Sequence, residues 1–328
     1  MKAIRVRQQG PPEVLVEEEV DDPRPGSGEV LVGIHAAGVN MIDVQQRSGG
    51  YPVTVPFTPG TEAAGEVVEI GADVEAWTAG NRVAYAGVPG AYAELALVPA
   101  ARLVPVPSEL PTDIAAAVLL QGMTAHYLLH SIAPLSEGEV VVVQAAAGGV
   151  GLLLTQMATA AGVDVIGTTS TDEKAALVRG AGAVEVVVRG RDDLVAAVAE
   201  RTDGAGARVV FDSVGRDTFD ESLGLLAKRG CLALFGQSSG AVPPVDVSRL
   251  QKAGSVFLTR PGLADYVATR QELLHRADTV FSSVASGSLD VRIHARYPLA
   301  RADEAHRALQ SRTTAGKLIL ITDLGTSG

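Results

Sequence analysis

The chain has 328 residues, 47% hydrophobic and 20% charged, long enough for two domains with cores of their own. Its formal charge of −11 argues against nucleic acid as a main partner, because a basic face would be needed to neutralise phosphates. One cysteine, Cys231, excludes an internal disulfide and any multi-cysteine zinc site. With no signal-like N-terminal run and no uninterrupted apolar stretch of about 18 residues, the expectation is a cytoplasmic protein without a membrane partner.

Residues 1 to about 120 read as β-rich. The stretch from Lys2 to Arg7 alternates, residues 29–37 form a strongly apolar strand, and further strands are expected at 65–70, 82–85 and 92–98. Pro and Gly punctuate them at short intervals, as in a compact barrel-like domain. Residues 112–129 turn helical, started by Pro111-Thr-Asp and carried by Ala-rich apolar spacing.

From about residue 139 strands alternate with helices. Strands are expected at 140–143, 163–168, 185–188, 208–212, 231–235 and 255–259, with helices at 172–179, 192–201 and 218–228 between them. Six strands in a βαβ rhythm predict an α/β fold with a doubly wound parallel sheet. A long helical region at 263–287, a strand at 293–297, a helix at 301–309 and a strand at 317–321 close the chain. This tail is expected to return to the first domain. The resulting layout is a first part at 1–121, a Rossmann domain at 122–262 and the return at 263–328.

The first turn of that Rossmann unit carries the clearest chemistry. Four valines from Val140 to Val143 stop at small residues, and the pattern Ala146-x-Gly148-x-x-Gly151 then opens an amphipathic helix. A pyrophosphate needs such close backbone approach, and a helix N-terminus supplies free N–H groups and a positive dipole end. Alanine stands where the usual dinucleotide fingerprint has its first glycine, and small residues also occur in ordinary tight βα turns. NAD binders place an acid at the end of the second strand; here that strand runs out in Thr168-Thr-Ser170. Asp172 and Glu173 come later, where they suit a helix's first turn. Lys174 and Arg189 follow. A missing acid with two nearby cations is what a 2′-phosphate selects, so NADPH is preferred over NADH. The alternative is that both cations are solvated surface charges.

Motifs spread over nearly the whole chain carry a resemblance. They are Ala36-Ala-Gly-Val-Asn-Met-Ile-Asp43, Arg47-Ser-Gly-Gly-Tyr-Pro52, Pro59-Gly-Thr-Glu-Ala-Ala-Gly65, Gly90-Ala-Tyr-Ala-Glu94 and Gln144-Ala-Ala-Ala-Gly-Gly-Val-Gly151, followed by Phe211-Asp-Ser-Val-Gly-Arg-Asp-Thr218, Phe235-Gly-Gln-Ser-Ser-Gly240, Thr259-Arg-Pro261 and Ser311-Arg-Thr-Thr-Ala-Gly316. Together they resemble the zinc-free quinone oxidoreductase branch of the medium-chain dehydrogenase/reductase superfamily. The resemblance implies a GroES-like catalytic domain joined to a Rossmann domain, with NADPH in the cleft between them. It also implies a homodimer in which the strand at 255–259 pairs with its symmetry mate.

Zinc-dependent relatives have a cysteine where this chain has Asn40, and Gly-His-Glu where it reads Gly60-Thr61-Glu62, so no metal is expected. Without a Lewis acid, a quinone or an activated enone is an easier hydride acceptor than a simple alcohol is a donor. Asn40 resembles the family's residue beside the nicotinamide and its ribose, with Ile42 and Asp43 on the same cofactor-facing segment. Asn40 also suits the N-cap of a following helix, and the two roles are compatible. Tyr51 matches a tyrosine at the mouth of the substrate site, where its hydroxyl would donate to the acceptor oxygen. A tyrosine before proline in a Gly-rich loop is otherwise a packing residue. Gln45 stands where bacterial members often carry a second tyrosine, and Arg189 where a tyrosine is common; an arginine there stacks on adenine or pairs with the 2′-phosphate.

The remaining contacts implied by the resemblance are all to the cofactor. Thr124 faces it; Ala147, Gly148, Gly149 and Val150 line the pyrophosphate; Ser170 and Lys174 hold the 2′-phosphate. Ser213 and Phe235, Gly236, Gln237 and Ser238 end two strands, Phe257 and Thr259 lie on the last one, and Arg312 is a C-terminal contact. The leading expectation is NADPH-dependent quinone reduction. Reduction of an α,β-unsaturated carbonyl or enoyl thioester is the nearest alternative. A crystallin-like or RNA-binding protein that holds NADPH without turnover is another, and the acidic balance opposes RNA.

Overall fold

A computed structural model describes residues 1–326. The chain clusters into two compact units, Met1–Met123 with the segment from Val267 onward, and Thr124–Tyr266.

The first unit is built on β-structure. In chain order it holds β1 (Lys2–Arg5), β2 (Val16–Glu19), β3 (Glu29–Val39), α1 (Met41–Ser48), β4 (Glu62–Ile70), β5 (Arg82–Ala86), β6 (Leu95–Pro99), β7 (Val104–Pro105) and the start of α2 (Thr112–Ser131). β1 and β2 form a separate hairpin. β3 is apolar over most of its 11 residues because both its faces are covered, and it is the spine of a seven-stranded sheet. β4 and β6 pair with it antiparallel.

The second unit alternates as its sequence predicts. Its elements are β8 (Val140–Val143), α3 (Gly149–Ala160), β9 (Asp164–Thr169), α4 (Asp172–Gly180), β10 (Glu185–Val188), α5 (Leu194–Arg201), β11 (Ala207–Asp212), α6 (Phe219–Gly224), β12 (Leu226–Leu234), α7 (Ser248–Lys252), β13 (Phe257–Thr259) and α8 (Leu263–Tyr266). The six strands are parallel in the order β10-β9-β8-β11-β12-β13, the doubly wound arrangement. All four valines of β8 are buried, as a central parallel strand requires.

The chain then returns to the first unit through α9 (Arg270–Ala285), β14 (Ile293–Pro298), α10 (Ala302–Gln310) and β15 (Lys317–Ile321). β15 pairs antiparallel with β3, with Ile319 opposite Gly38. The expected GroES-like unit with a six-stranded Rossmann sheet is the architecture found. No helix among the described residues is long and apolar enough to cross a membrane.

Two expected helices differ. The helix placed at 218–228 ends at Gly224, and β12 begins at Leu226, directly opposite Ala207 of β11. Leu225 and Leu226 are buried against the sheet core, so strand pairing outweighs local helix preference there. The helical region at 263–287 is broken between Tyr266 and Arg270. Thr269 and Glu272 form a capping box, with the Thr269 N–H donating to the Glu272 carboxylate at 3.0 Å and the Glu272 N–H to Thr269 Oγ1 at 3.2 Å. The Thr-x-x-Glu signal for that break lies in the sequence.

Candidate active site

The site residues fall into two groups, one in each unit. In the second unit they gather at the carboxyl ends of the parallel strands, where such sheets bind ligands. β8 delivers the turn 144–148, β9 ends beside Ser170, β10 beside Arg189, β11 beside Ser213 and β12 beside the stretch from Phe235 to Ser238. Thr259 ends β13, whereas Phe257 opens that strand and projects with 62% exposure from the outermost position of the sheet. Phe257 is therefore not among the residues brought together. Thr124 is a buried residue of α2, the first of the second unit.

The glycine turn has the form a pyrophosphate needs. Gly148 caps α3 with extended backbone, and the N–H groups of the first helical turn have no acceptor within the helix. A Cβ on Gly151 would sit 2.7 Å from both Cα and the carbonyl oxygen of Ala146, so only glycine lets α3 pack this closely on the turn. One polar network, centred on Asp212 and Gln144 and joined through Ser222, holds the surrounding loops. Asp212, fully buried, accepts from the N–H groups of Val214 (2.7 Å) and Gly215 (3.0 Å) and from the hydroxyls of Thr218 (2.7 Å) and Ser222 (2.8 Å). Gln144 donates to Ser222 at 3.2 Å and accepts from Thr168 at 2.8 Å and Arg189 at 3.3 Å.

The expected 2′-phosphate residues lie at the ends of β9 and β10. Ser170 is exposed and Lys174 half-buried in the first turn of α4, with burial lowering the lysine's affinity for its proton. Thr171 caps that helix by accepting from the Lys174 N–H at 3.3 Å. Asp172 is held by Arg191 at 2.7 and 2.9 Å, which offsets its charge. Arg189 also donates to Glu221 at 2.7 Å.

In the first unit, Asn40 links β3 to α1 in the N-cap position with extended backbone. The cap bond runs from its own N–H to the Asp43 carboxylate at 2.8 Å. The Asn40 side chain points elsewhere, donating to Glu62 at 3.0 Å and Gly38 at 3.3 Å and accepting from Lys317 at 2.7 Å. Asp43 corrects an expectation: it has no exposed surface, and its carboxylate also accepts from Thr61 and Tyr92, each at 3.2 Å. It supports the turn rather than offering itself to a ligand. Burial raises its pKa to about 7, against its hydrogen bonds and Lys317.

Behind it, the Tyr92 hydroxyl meets His306 Nε2 at 3.1 Å, and burial holds that histidine's pKa down to about 3, so the ring is neutral. Ile42 and Gln45 are half-buried on α1. Tyr51 is 43% exposed, its N–H bonded to the Gln45 carbonyl at 3.1 Å, which ties the two expected substrate residues together. Arg312 is exposed just after α10, with a left-handed φ of 58°.

Sequence reasoning missed Glu62, Tyr92, His306 and Lys317 here, and Gln144, Asp212 and Glu221 in the second unit. Gly38 was the available signal for the first set, since a β-strand glycine often marks close approach of another group. As for a metal, the cysteine and histidine positions of the zinc enzymes hold Asn40 and Thr61, both engaged in hydrogen bonds. Among the described residues no group of three or more His, Cys, Asp or Glu side chains is gathered as a metal ion requires.

Comparison with known proteins places this geometry. Residues 26–108 match the family described as "Alcohol dehydrogenase GroES-like domain", and residues 149–260 the family described as "Zinc-binding dehydrogenase". The latter stretch contains one cysteine, Cys231, and no histidine. A quinone oxidoreductase of Pseudomonas aeruginosa is 42% identical, over 98% of this chain and 99% of that protein. A mycobacterial protein solved in complex with NADPH is 46% identical with a TM-score of 0.95, over 98% of this chain and all of that one. The Escherichia coli quinone oxidoreductase, also solved with NADPH, is 41% identical with a TM-score of 0.95, again over 98% of this chain and all of that one.

Proposed function

Since the chain belongs to the quinone oxidoreductase family of the medium-chain dehydrogenase/reductase superfamily, we propose that it reduces quinones with NADPH as electron donor. The observation that carries this reading is the glycine turn at the head of α3, beside a β9 that ends without an acid and an α4 that offers Lys174. NADPH, when bound, supplies a hydride from its nicotinamide.

The chain's own residues bind and orient. Gly149 and Val150 present backbone N–H groups to the pyrophosphate, with Ala147 and Gly148, whose own N–H closes the turn onto the Ala145 carbonyl at 2.9 Å, beside them. Ser170 and Lys174 receive the 2′-phosphate, and the loops carrying Ser213 and Phe235 to Ser238 are kept in place by Asp212 and Gln144. On the first unit Asn40 meets the nicotinamide half, and Ile42 lies on the same segment. Tyr51 donates its hydroxyl to the acceptor oxygen, and Gln45 shapes the acceptor's surroundings in place of a second aromatic ring. Thr124, Thr259 and Arg312 are further cofactor contacts.

The protein works as a cytoplasmic homodimer. β13 supports the dimer, because it is the outermost strand of its sheet and carries the exposed Phe257. Cross-linking or light scattering of wild type against Phe257→Lys tests that assembly, which is overturned if both behave as monomers.

Steady-state assays with NADPH against benzoquinone, naphthoquinone, 2-enones and an enoyl thioester test the activity. Turnover of quinones is expected. Activity with the enoyl thioester alone overturns quinone reduction, and equal use of NADH overturns the choice of NADPH.

A further inference from the structure

Beneath Asn40 lies a buried ion pair between β4 and β15. Lys317, the first residue of β15, donates from Nζ to Glu62 Oε2 at 2.6 Å, and the two side chains are 1% and 0% exposed. Glu62 Oε1 accepts from the Leu120 N–H of α2 at 2.6 Å, which anchors the carboxylate from its other side. Gly38 makes the room. A Cβ there would overlap Glu62 Oε2 and sit 2.8 Å from Lys317 Cε.

Burying such a pair is not an efficient route to stability. Desolvation offsets much of the attraction, and apolar residues of similar volume often serve as well or better. What an apolar pair cannot do is orient an amide. Asn40 has the lysine ammonium on one side, which only donates, and the glutamate carboxylate on the other, which accepts. Only one flip of the amide satisfies both, with Oδ1 toward Lys317 and Nδ2 toward Glu62. Both Nδ2 hydrogens are then engaged, by Glu62 and by the Gly38 carbonyl. Among the described residues Oδ1 accepts one hydrogen bond, from Lys317, of the two that an amide oxygen can take.

We propose that Lys317 and Glu62 are positioning residues for hydride transfer: they lock the Asn40 amide so that it presents a single acceptor to a ligand hydroxyl. The ligand chemistry that fits is a ribose hydroxyl on the nicotinamide side of the cofactor. The proposal rests on the reading of Asn40 as a contact for that half of NADPH. Lys317 and Glu62 touch no reacting atom; they act through Asn40.

The test is a mutant cycle on purified protein with NADPH and benzoquinone, run below the melting temperature of each variant. Asn40→Ala should lower kcat about tenfold or more, because small misplacements of reacting groups are costly, while KM for NADPH and its Kd from a fluorescence titration without quinone stay within about threefold. Lys317→Met with Glu62→Gln removes both charges together and leaves no lone buried ion. It should reproduce that split, and adding it to Asn40→Ala should cause no further loss.

A wild-type kcat in the double variant, with kcat lost in Asn40→Ala, overturns the positioning role and leaves quinone reduction standing. Unchanged kcat and KM in Asn40→Ala instead overturn the assignment of Asn40 itself. If the double variant does not fold, Asn40→Asp decides, since it leaves the ion pair in place. A carboxylate oxygen then faces Glu62, the two must share a proton, and kcat should fall as pH rises through that ionisation. A pH profile matching wild type overturns the proposal.

Discussion

Arg189, at the end of β10, donates to the Glu221 carboxylate of α6 at 2.7 Å, with the two side chains 38% and 32% exposed. A 2′-phosphate recruiting this guanidinium has to compete with Glu221. Glu221→Gln weakens the tie without removing the side chain. Exposed pairs of this kind contribute about 0 to 1 kcal/mol, so KM for NADPH should fall by up to about fivefold and KM for NADH should hardly change. Initial rates with both cofactors check it; equal effects on the two mean that Arg189 does not meet the phosphate.

Lys174 is the cation expected to meet the same phosphate from α4. Lys174→Ala should raise KM for NADPH far more than KM for NADH, because the lost partner is present in only one cofactor. An equal rise for both places Lys174 outside the phosphate site.

Gly151 cannot accept a side chain without moving the Ala146 backbone. Gly151→Val should push the head of α3 off its turn, raise KM for NADPH and NADH together, and lower the melting temperature. An unchanged Tm with unchanged KM values overturns the close-packing argument.

Asp43 makes stability depend on pH. Burial raises its pKa from an ordinary 3.8 to about 7 in the folded chain. Below the unfolded value both states carry the proton, and its contribution is fully present. As pH rises toward 7 the unfolded chain ionises first, so stability falls by up to about 1.4 kcal/mol per pH unit, and the loss levels off above the folded pKa. Asp43→Asn keeps the bonding, its oxygen accepting from Asn40 and Tyr92 and its NH2 donating to Thr61. The variant should gain stability over wild type between about pH 4 and 7, as read by denaturant unfolding across that window. A constant difference between the two proteins means that Asp43 is ionised in the fold.

Tyr51 is half in solvent, and its backbone is held by the Gln45 carbonyl and the Gln9 side chain. If its hydroxyl donates to the acceptor oxygen, Tyr51→Phe lowers kcat with little change in stability, since an exposed hydroxyl carries no buried bond. A wild-type kcat makes Tyr51 a packing residue.

Much of this protein is written in local pattern. Four valines followed by small residues declare β8 and its turn, and the βαβ rhythm declares the six-stranded sheet. The carboxylate missing after Thr169 and the lysine at 174 were readable as a preference for a phosphate. Each of these signals acts over a few neighbouring residues, where periodicity, capping and turn chemistry operate. The helix that gives way to β12 at Leu226 was not readable, because pairing with Ala207 outweighs local preference. Nor was the company of Asn40. Glu62 and Lys317 are 255 positions apart, brought together only when β4 and β15 both pair with β3 and Gly38 leaves space between them. The resemblance carried by the sequence singled out Asn40 as an expected cofactor contact. Tertiary structure decided which way its amide faces, because a buried donor on one side and a buried acceptor on the other permit a single orientation.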